Sequence, residues 1–191
     1  NRLLMTAIFS FVVVLAVAQS WMMQPQGPVN EFSAMEGTSV LNYNFQVERN
    51  IHSRAGNGPV FYIFPDCKLD NNQALELAGN LDLVNIIKEY GGRIMVVNPS
   101  SDKWQEQDLE DFRRLIGMGS SPTNVKVIGI GSGATFVNRQ LVATELAGVI
   151  AGIVSIDGEP GKICRLPVPA FIGGKNAAKA AKPYQTTSDS A

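Results

Sequence analysis

Histidine is nearly absent from this chain: of 191 residues, His52 carries the only imidazole. A Ser-His-acid relay needs a base within hydrogen-bond reach of its nucleophile, and His52 lies before the regular core pattern, where it reads as a solvated loop residue. Cysteine is scarce as well. Cys67 and Cys164 form no Cys-x-x-Cys pair, so no metal site is expected and no disulfide framework either, although composition alone permits a single bridge. Charge is thin, at 17% of residues, with 16 Lys and Arg scattered among 17 acids for a net −1. That distribution lacks the basic face needed to bind nucleic acid. Lys and Arg are missing altogether from residues 19–48.

What the chain does have is apolar content, at 45%, and 18 glycines. Its length suits one domain with a sizeable core. Residues 3–18 are an uncharged apolar run preceded by Arg2 and closed by Ala16-Val17-Ala18 before Gln19. That is the layout of a signal peptide. The run is shorter than the roughly 20 residues of a membrane span, but Ser20, Trp21, Met22 and Met23 extend it into an anchor with an interfacial tryptophan. A buried helix is the third reading. Cleaved or retained, a leader over 1–23 sends residues 24–191 to the non-cytoplasmic side, so the protein is secreted or membrane-anchored. If the leader is retained, residues 3–23 contact the membrane. The missing Lys and Arg after the leader fit that orientation.

Residues 24–37 read as a linker of Gln, Pro, Gly, Asn and Ser. Residues 38–47 alternate as a strand, with Leu41, Tyr43, Phe45 and Val47 on one face. From Val60 the pattern becomes regular. Continuous apolar strands are expected at 60–64, 93–97, 125–130, 150–156 and 168–172, as in strands buried on both faces. Helices are expected over 72–89, with Leu77, Leu81, Val84 and Ile87 on one stripe, over 103–116, and over 134–147. The tail over 177–191 reads as solvated and flexible. This alternation predicts an α/β fold with a doubly wound, mainly parallel sheet over about 38–176, preceded by an N-terminal hydrophobic helix. Ligands on such sheets sit at the carboxyl ends of the strands. Here that edge comprises Pro65-Asp66-Cys67, Asn98-Pro99-Ser100-Ser101, Gly131-Ser132-Gly133, Asp157-Gly158-Glu159 and Gly173-Gly174-Lys175-Asn176.

The most informative stretch is Gly129-Ile130-Gly131-Ser132-Gly133-Ala134, a glycine-dense turn between an apolar strand and a helix. Two chemistries use that layout. In Gly-x-nucleophile-x-Gly, a strained turn lifts a nucleophile above the sheet, and here the apex is Gly131, which has no side chain. In Gly-x-Gly-x-x-Ala, bare backbone approaches a dinucleotide pyrophosphate. That register uses Gly129, Gly131 and Ala134, with Asp157 ending the next strand as a ribose-binding acid for NAD or FAD. Against it, such a fingerprint ordinarily opens the first βαβ unit, and two strand-helix units precede this one.

The order of parts over about residues 40–176 resembles the α/β-hydrolase superfamily. It is most similar to secreted esterases of the polyhydroxybutyrate depolymerase and feruloyl esterase kind. The matching text is Tyr62-Ile63-Phe64-Pro65-Asp66-Cys67, Met95-Val96-Val97-Asn98-Pro99, the turn at Gly129–Ala134, Ile153-Val154-Ser155-Ile156-Asp157-Gly158, and Pro167–Gly174 before the family's acid. The resemblance implies a hydrolase scaffold whose functional positions have changed. The oxyanion strand's His-Gly is Pro65-Asp66, and a carboxylate there repels the charge that an oxyanion hole stabilises. The nucleophile is Gly131, the acid position falls at the neutral Asn176, and no histidine follows the turn. Ser132 reads as a helix N-cap, with a shifted nucleophile as its alternative role. Asp157 and Glu159 read as turn residues, or alternatively as paired carboxylates.

The expectation is therefore a catalytically inactive hydrolase-like domain that needs no cofactor. Its role would be binding or scaffolding with a protein partner, as an accessory subunit of a membrane assembly. The alternatives are a serine esterase using Ser132, with a base from further chain or a partner, and a Rossmann-type dinucleotide domain. Intact-mass spectrometry of the mature protein separates the leader readings: cleavage yields a chain starting at Gln19, whereas an anchor leaves 1–23 in place.

Overall fold

The computed structural model describes residues 30–33, 39–43, 59–90, 92–118 and 125–185. The leader expected over 1–23, His52 and the last residues of the tail fall outside them. Among these residues, seven strands form one sheet in the order β1-β2-β4-β3-β5-β6-β7. They are β1 (Asn30–Ser33), β2 (Ser39–Tyr43), β3 (Val60–Phe64), β4 (Arg93–Val97), β5 (Val125–Ile130), β6 (Ile150–Ile156) and β7 (Ala170–Gly173). The β1–β2 and β2–β4 pairs are antiparallel, and β4, β3, β5, β6 and β7 run parallel. This is the doubly wound, mainly parallel α/β architecture that the alternating pattern predicts.

Helices cover both faces, and the unpunctuated strands supply each with apolar side chains. On one face, Ile63, Ile94, Val96 and Ile128 pack against α1 (Asn71–Asn80) and α2 (Leu83–Tyr90) through Ala74, Ala78, Leu83 and Ile87. On the other, α3 (Glu106–Met118) brings Leu109, Phe112 and Ile116 onto Tyr62, Phe64 and Val127. Phe112 lies edge-on to Tyr62 at 5.1 Å and to Phe64 at 4.9 Å. Trp104 stacks on Phe136 at 4.8 Å.

Three helical expectations are corrected. The 72–89 helix is two, because the chain turns at Asp82, which takes φ +57°. The amides of Leu81 and Asp82 close the first helix onto Leu77 and Gly79. Gly79-Asn80, a C-terminal stop signal, marks that break in the sequence. The 134–147 helix is only α4 (Ser132–Phe136), followed by a π-helical turn over Val137–Leu141 and a 3₁₀ turn over Glu145–Val149. Gly161 crowds the Asn138 carbonyl so closely that a Cβ there would sit 1.8 Å from its oxygen. Arg139 also donates to the Pro160 carbonyl at 3.2 Å, so this loop presses on the turn that widens. The third helix, expected over 103–116, starts at Glu106, because Asp108 turns its carboxylate back onto the amides of Ser100 (2.8 Å) and Gln105 (2.7 Å).

The linker and tail readings also change. Residues 24–37 contain β1, a four-residue strand too short to show a period. The tail contains α5 (Ala177–Gln185), an alanine-rich helix with Ala180 and Pro183 buried. Among the described residues, no helix is long and apolar enough to cross a membrane. Cys67 is exposed and Cys164 buried, and both are free thiols. Phe112 is fully buried between strands and helix, so Phe112→Ala should cost about 3 to 5 kcal/mol. A urea midpoint unchanged from the parent would contradict this packing.

Candidate functional site

The chain leaves β3 toward β4 on one side and returns to β5 on the other, so the crevice between the carboxyl ends of β3 and β5 is a topological switch point. Phe64 and Gly129 face each other across it. Pro65-Asp66-Cys67 leaves one strand end there and Gly131-Ser132-Gly133 leaves the other. The two stretches that depart from the hydrolase pattern in sequence are thus neighbours in space.

Gly131 adopts φ +56° and ψ −117° and precedes the first residue of α4. This backbone is costly for any residue with a Cβ and is the sharp strand-to-helix turn of an elbow. The flanking glycines are equally constrained. A Cβ at Gly129 would lie 2.6 Å from Ala134 Cα, and one at Gly133 would lie 2.1 Å from the Phe64 carbonyl oxygen. Helix, turn and strand close together only because these three positions are bare.

Asp66 fills the space at the apex. A Cβ built on Gly131 would meet its Oδ1 at 2.3 Å and its Cγ at 2.6 Å. The same Oδ1 accepts the Ser132 amide at 2.6 Å, and the Gly131 amide donates to the Ile156 carbonyl at 2.8 Å. In an elbow, the amide following the nucleophile is an oxyanion donor. Here an internal carboxylate occupies that donor and the volume beside it. The expected helix-capping role of Ser132 is corrected: Gly131 is the N-cap and makes no side-chain cap bond. The Ser132 hydroxyl instead donates to the Asp66 carbonyl, and the orphan amide is satisfied by the β3 loop.

The surrounding loops are tied down in the same way. Trp104 Nε1 donates to the Pro65 carbonyl at 3.0 Å, while the buried Asn98 clasps both the amide (3.0 Å) and the carbonyl (2.9 Å) of Leu69. Sequence reading placed Asn98 on the ligand-bearing edge without a role and did not single out Trp104. The only signal was the Asn98-Pro99 strand end, because the partners are 29 and 39 positions away. Asp66 lines two open hollows, one of about 440 Å³ with Trp104, Ser132 and Arg139, the other of about 230 Å³ with Cys67 and Ile130.

Asp157, Glu159 and Asn176 meet at the ends of β6 and β7. Asp157, at φ +56°, accepts the Lys175 amide at 3.0 Å, and Asn176 donates to Glu159 Oε1 at 3.0 Å. Each carboxylate has its own partner from the β7 loop. The Glu159 amide donates to Thr135 Oγ1 at 2.9 Å, and Thr135 Oγ1 donates to the Gly131 carbonyl at 3.1 Å. The acid-position loop is thereby linked to the turn through hydrogen bonds. Buried Asn138 receives the Tyr184 hydroxyl at 2.8 Å and donates to the Glu159 carbonyl at 3.0 Å. Burial, and secondarily the Cys164 sulfur, pushes the Tyr184 phenol well above its ordinary range, so it remains a neutral donor. The Cys164 thiol is itself raised by burial.

The dinucleotide alternative finds little support in this geometry. The Ser132 amide that would face a pyrophosphate already holds a carboxylate, and Asp157 is engaged by the β7 loop rather than by Gly129 or Gly131. Pyrophosphate would face the negative charge of Asp66.

No protein-family model matches the chain, and no curated protein does. Among solved structures, MGS-M1, an alpha/beta hydrolase enzyme from a Medee basin deep-sea metagenome library, is 19% identical, with a TM-score of 0.51 over 75% of this chain and 64% of its own. An esterase/lipase from an uncultured bacterium is 14% identical, with a TM-score of 0.45 over 65% and 42% of the two chains. A ferulic acid esterase is 11% identical, with a TM-score of 0.40 over 78% and 63%. The chain thus spans less than two thirds of the length of each. The first of these likenesses shows an α/β-hydrolase-like fold and nothing finer.

If Asp66 and a side chain at 131 compete for one volume, their substitutions must be coupled. Asp66→Ala should cost about 1 kcal/mol, as the loss of a helix cap does. Gly131→Ala should cost about 3 kcal/mol in the parent, from backbone strain plus the clash. In the Asp66→Ala background it should cost only the strain, about 1 to 2 kcal/mol. Additive costs in a urea-denaturation double-mutant cycle would refute the competition.

Proposed function

We propose that this chain is a catalytically silent α/β-hydrolase-like domain with a binding or scaffolding role. The observation that carries this reading is the Asp66 carboxylate, seated on the Ser132 amide where an elbow would stabilise negative charge in its transition state. An acyl-transfer site needs a side chain at the apex, a base beside it and free donors above it. At this turn the apex is bare, one donor is occupied by a carboxylate, and residues 132–191 include no histidine. Four positions of the apparatus, Gly131, Pro65, Asp66 and Asn176, are off pattern together while Gly129 and Gly133 keep the turn closed. Retention of the turn with loss of its chemistry supports a scaffold.

The finer parts of the reading rest on sequence. The Cys67 loop, the Asn98-Pro99 strand end and the Pro167–Gly174 strand support an origin among secreted esterases of the polyhydroxybutyrate depolymerase and feruloyl esterase kind. The apolar run at 3–23 supports a location across a membrane, as a secreted or anchored accessory subunit of a protein assembly.

The test is hydrolysis of short p-nitrophenyl esters by the purified full chain. Turnover should equal the buffer background and be the same in Ser132→Ala and Ser120→Ala. Activity abolished by Ser132→Ala and kept in Ser120→Ala would establish the serine-esterase alternative instead.

A further inference from the structure

Away from the elbow, the described residues cover the face of the sheet that carries α1 and α2 only in part. Over β5, β6 and β7 it opens into a hollow of about 610 Å³ whose floor includes Ile128, Val154 and Phe171 and whose wall includes Leu81 and Ile86. Ile128, Val154 and Phe171 are register partners in one row across the three strands, and Phe171 is 68% exposed. Parallel strands are ordinarily covered on both faces, so an apolar strip of this kind marks a binding surface.

Among the described residues, one charged side chain lines the hollow: Lys126. Its placement comes from an irregularity of the sheet. Val125 pairs with Ile150 and Lys126 with Gly152, so Ala151 is an extra residue in β6, a bulge that releases its carbonyl from the ladder. Lys126 Nζ reaches that carbonyl at 3.5 Å. Its stem lies across the bare Gly152, where a Cβ would stand 3.6 Å from Lys126 Cδ and 3.7 Å from Nζ. The ammonium therefore sits beside Gly152 on β6, one register step toward the amino ends of the strands from Val154, the middle member of the apolar row.

We propose that this hollow binds a long-chain carboxylate, its head group on the Lys126 ammonium and its tail along Ile128, Val154 and Phe171. An ammonium has three donors, and one long bond to a carbonyl leaves capacity for a carboxylate. A second copy of the chain docked across a two-fold axis would bring two Lys126 charges together. The uncharged 3–23 segment would cover the ammonium without a counter-charge, at a desolvation cost. Among the described lining residues a partner helix would find no polar side chain except Lys126 to set its register. One cation and an otherwise apolar strip match one head and one tail.

The probes are dodecanoate and dodecyltrimethylammonium, which have the same tail and opposite heads. Both are titrated into the full chain by calorimetry below their micelle-forming concentrations. Dodecanoate should bind at one per chain and at least about tenfold tighter than the cation, the worth of a charge-assisted hydrogen bond. Lys126→Met should erase that preference, Lys126→Glu should reverse it, and Phe171→Asp should weaken both ligands, with circular dichroism showing each variant folded. Because these comparisons read the difference between heads, amphiphile held by the leader does not enter them. Equal affinity for the two heads, a preference that survives Lys126→Met, or no binding by the parent would each overturn the proposal. So would a parent dimer that Phe171→Asp converts to monomer without any dodecanoate site.

Discussion

One small volume, at the apex of the turn after β5, governs the candidate site. Either a side chain on residue 131 or the carboxylate of Asp66 can stand there, because the two would approach to 2.3 Å. The chain has glycine at 131 and a carboxylate at 66, and the rest follows from that exclusion. The carboxylate takes the Ser132 amide, the Ser132 hydroxyl takes the Asp66 carbonyl, and the β3 loop is pinned onto the start of α4. In a catalytic elbow these groups wait for substrate. Here they are engaged with one another, at the rim of two open hollows.

The framework that permits so tight a junction is the packing of strand, turn and helix around Gly129 and Gly133. Helix termini leave backbone amides without partners, and a short helix such as α4 has little intrinsic stability. Its first turn is supported instead by Asp66, by Thr135 reaching back to Gly131, and by Phe136 stacked on Trp104. Trp104 also donates to the Pro65 carbonyl. The aromatic cluster and the polar junction therefore hold the same loop from opposite sides, which couples core packing to the geometry at the apex.

Much of the architecture was legible in the chain. The largely apolar runs at 60–64, 93–97 and 125–130 coincide with β3, β4 and β5, because a strand covered on both faces is apolar over most of its length. The elements that escaped detection are those that local pattern does not encode. β1 has four residues and owes its existence to the β2 ladder. The break at Asp82 depends on one positive φ. The π turn at Val137 forms where the loop containing Gly161 presses on Asn138. The α5 helix resembles a solvated tail in composition, and its docking rests on buried Ala180 and on the Tyr184–Asn138 bond across 46 positions.

The candidate site divides along the same line. By itself the sequence determined that residue 131 carries no side chain, that a proline and a carboxylate stand at 65 and 66, and that residues 132–191 include no histidine, since those are statements of chemical identity. It also placed all these residues at the carboxyl edge of a parallel sheet. Only the tertiary structure decided what Asp66 does. Read in the chain, it is a charge at a strand end; folded, it is the hydrogen-bond partner of the Ser132 amide and the occupant of the volume that a side chain at 131 would take. The two residues are 66 positions apart. Nothing in local spacing reports that the ends of β3 and β5 converge, because their adjacency arises from the crossover that places β5 beside β3.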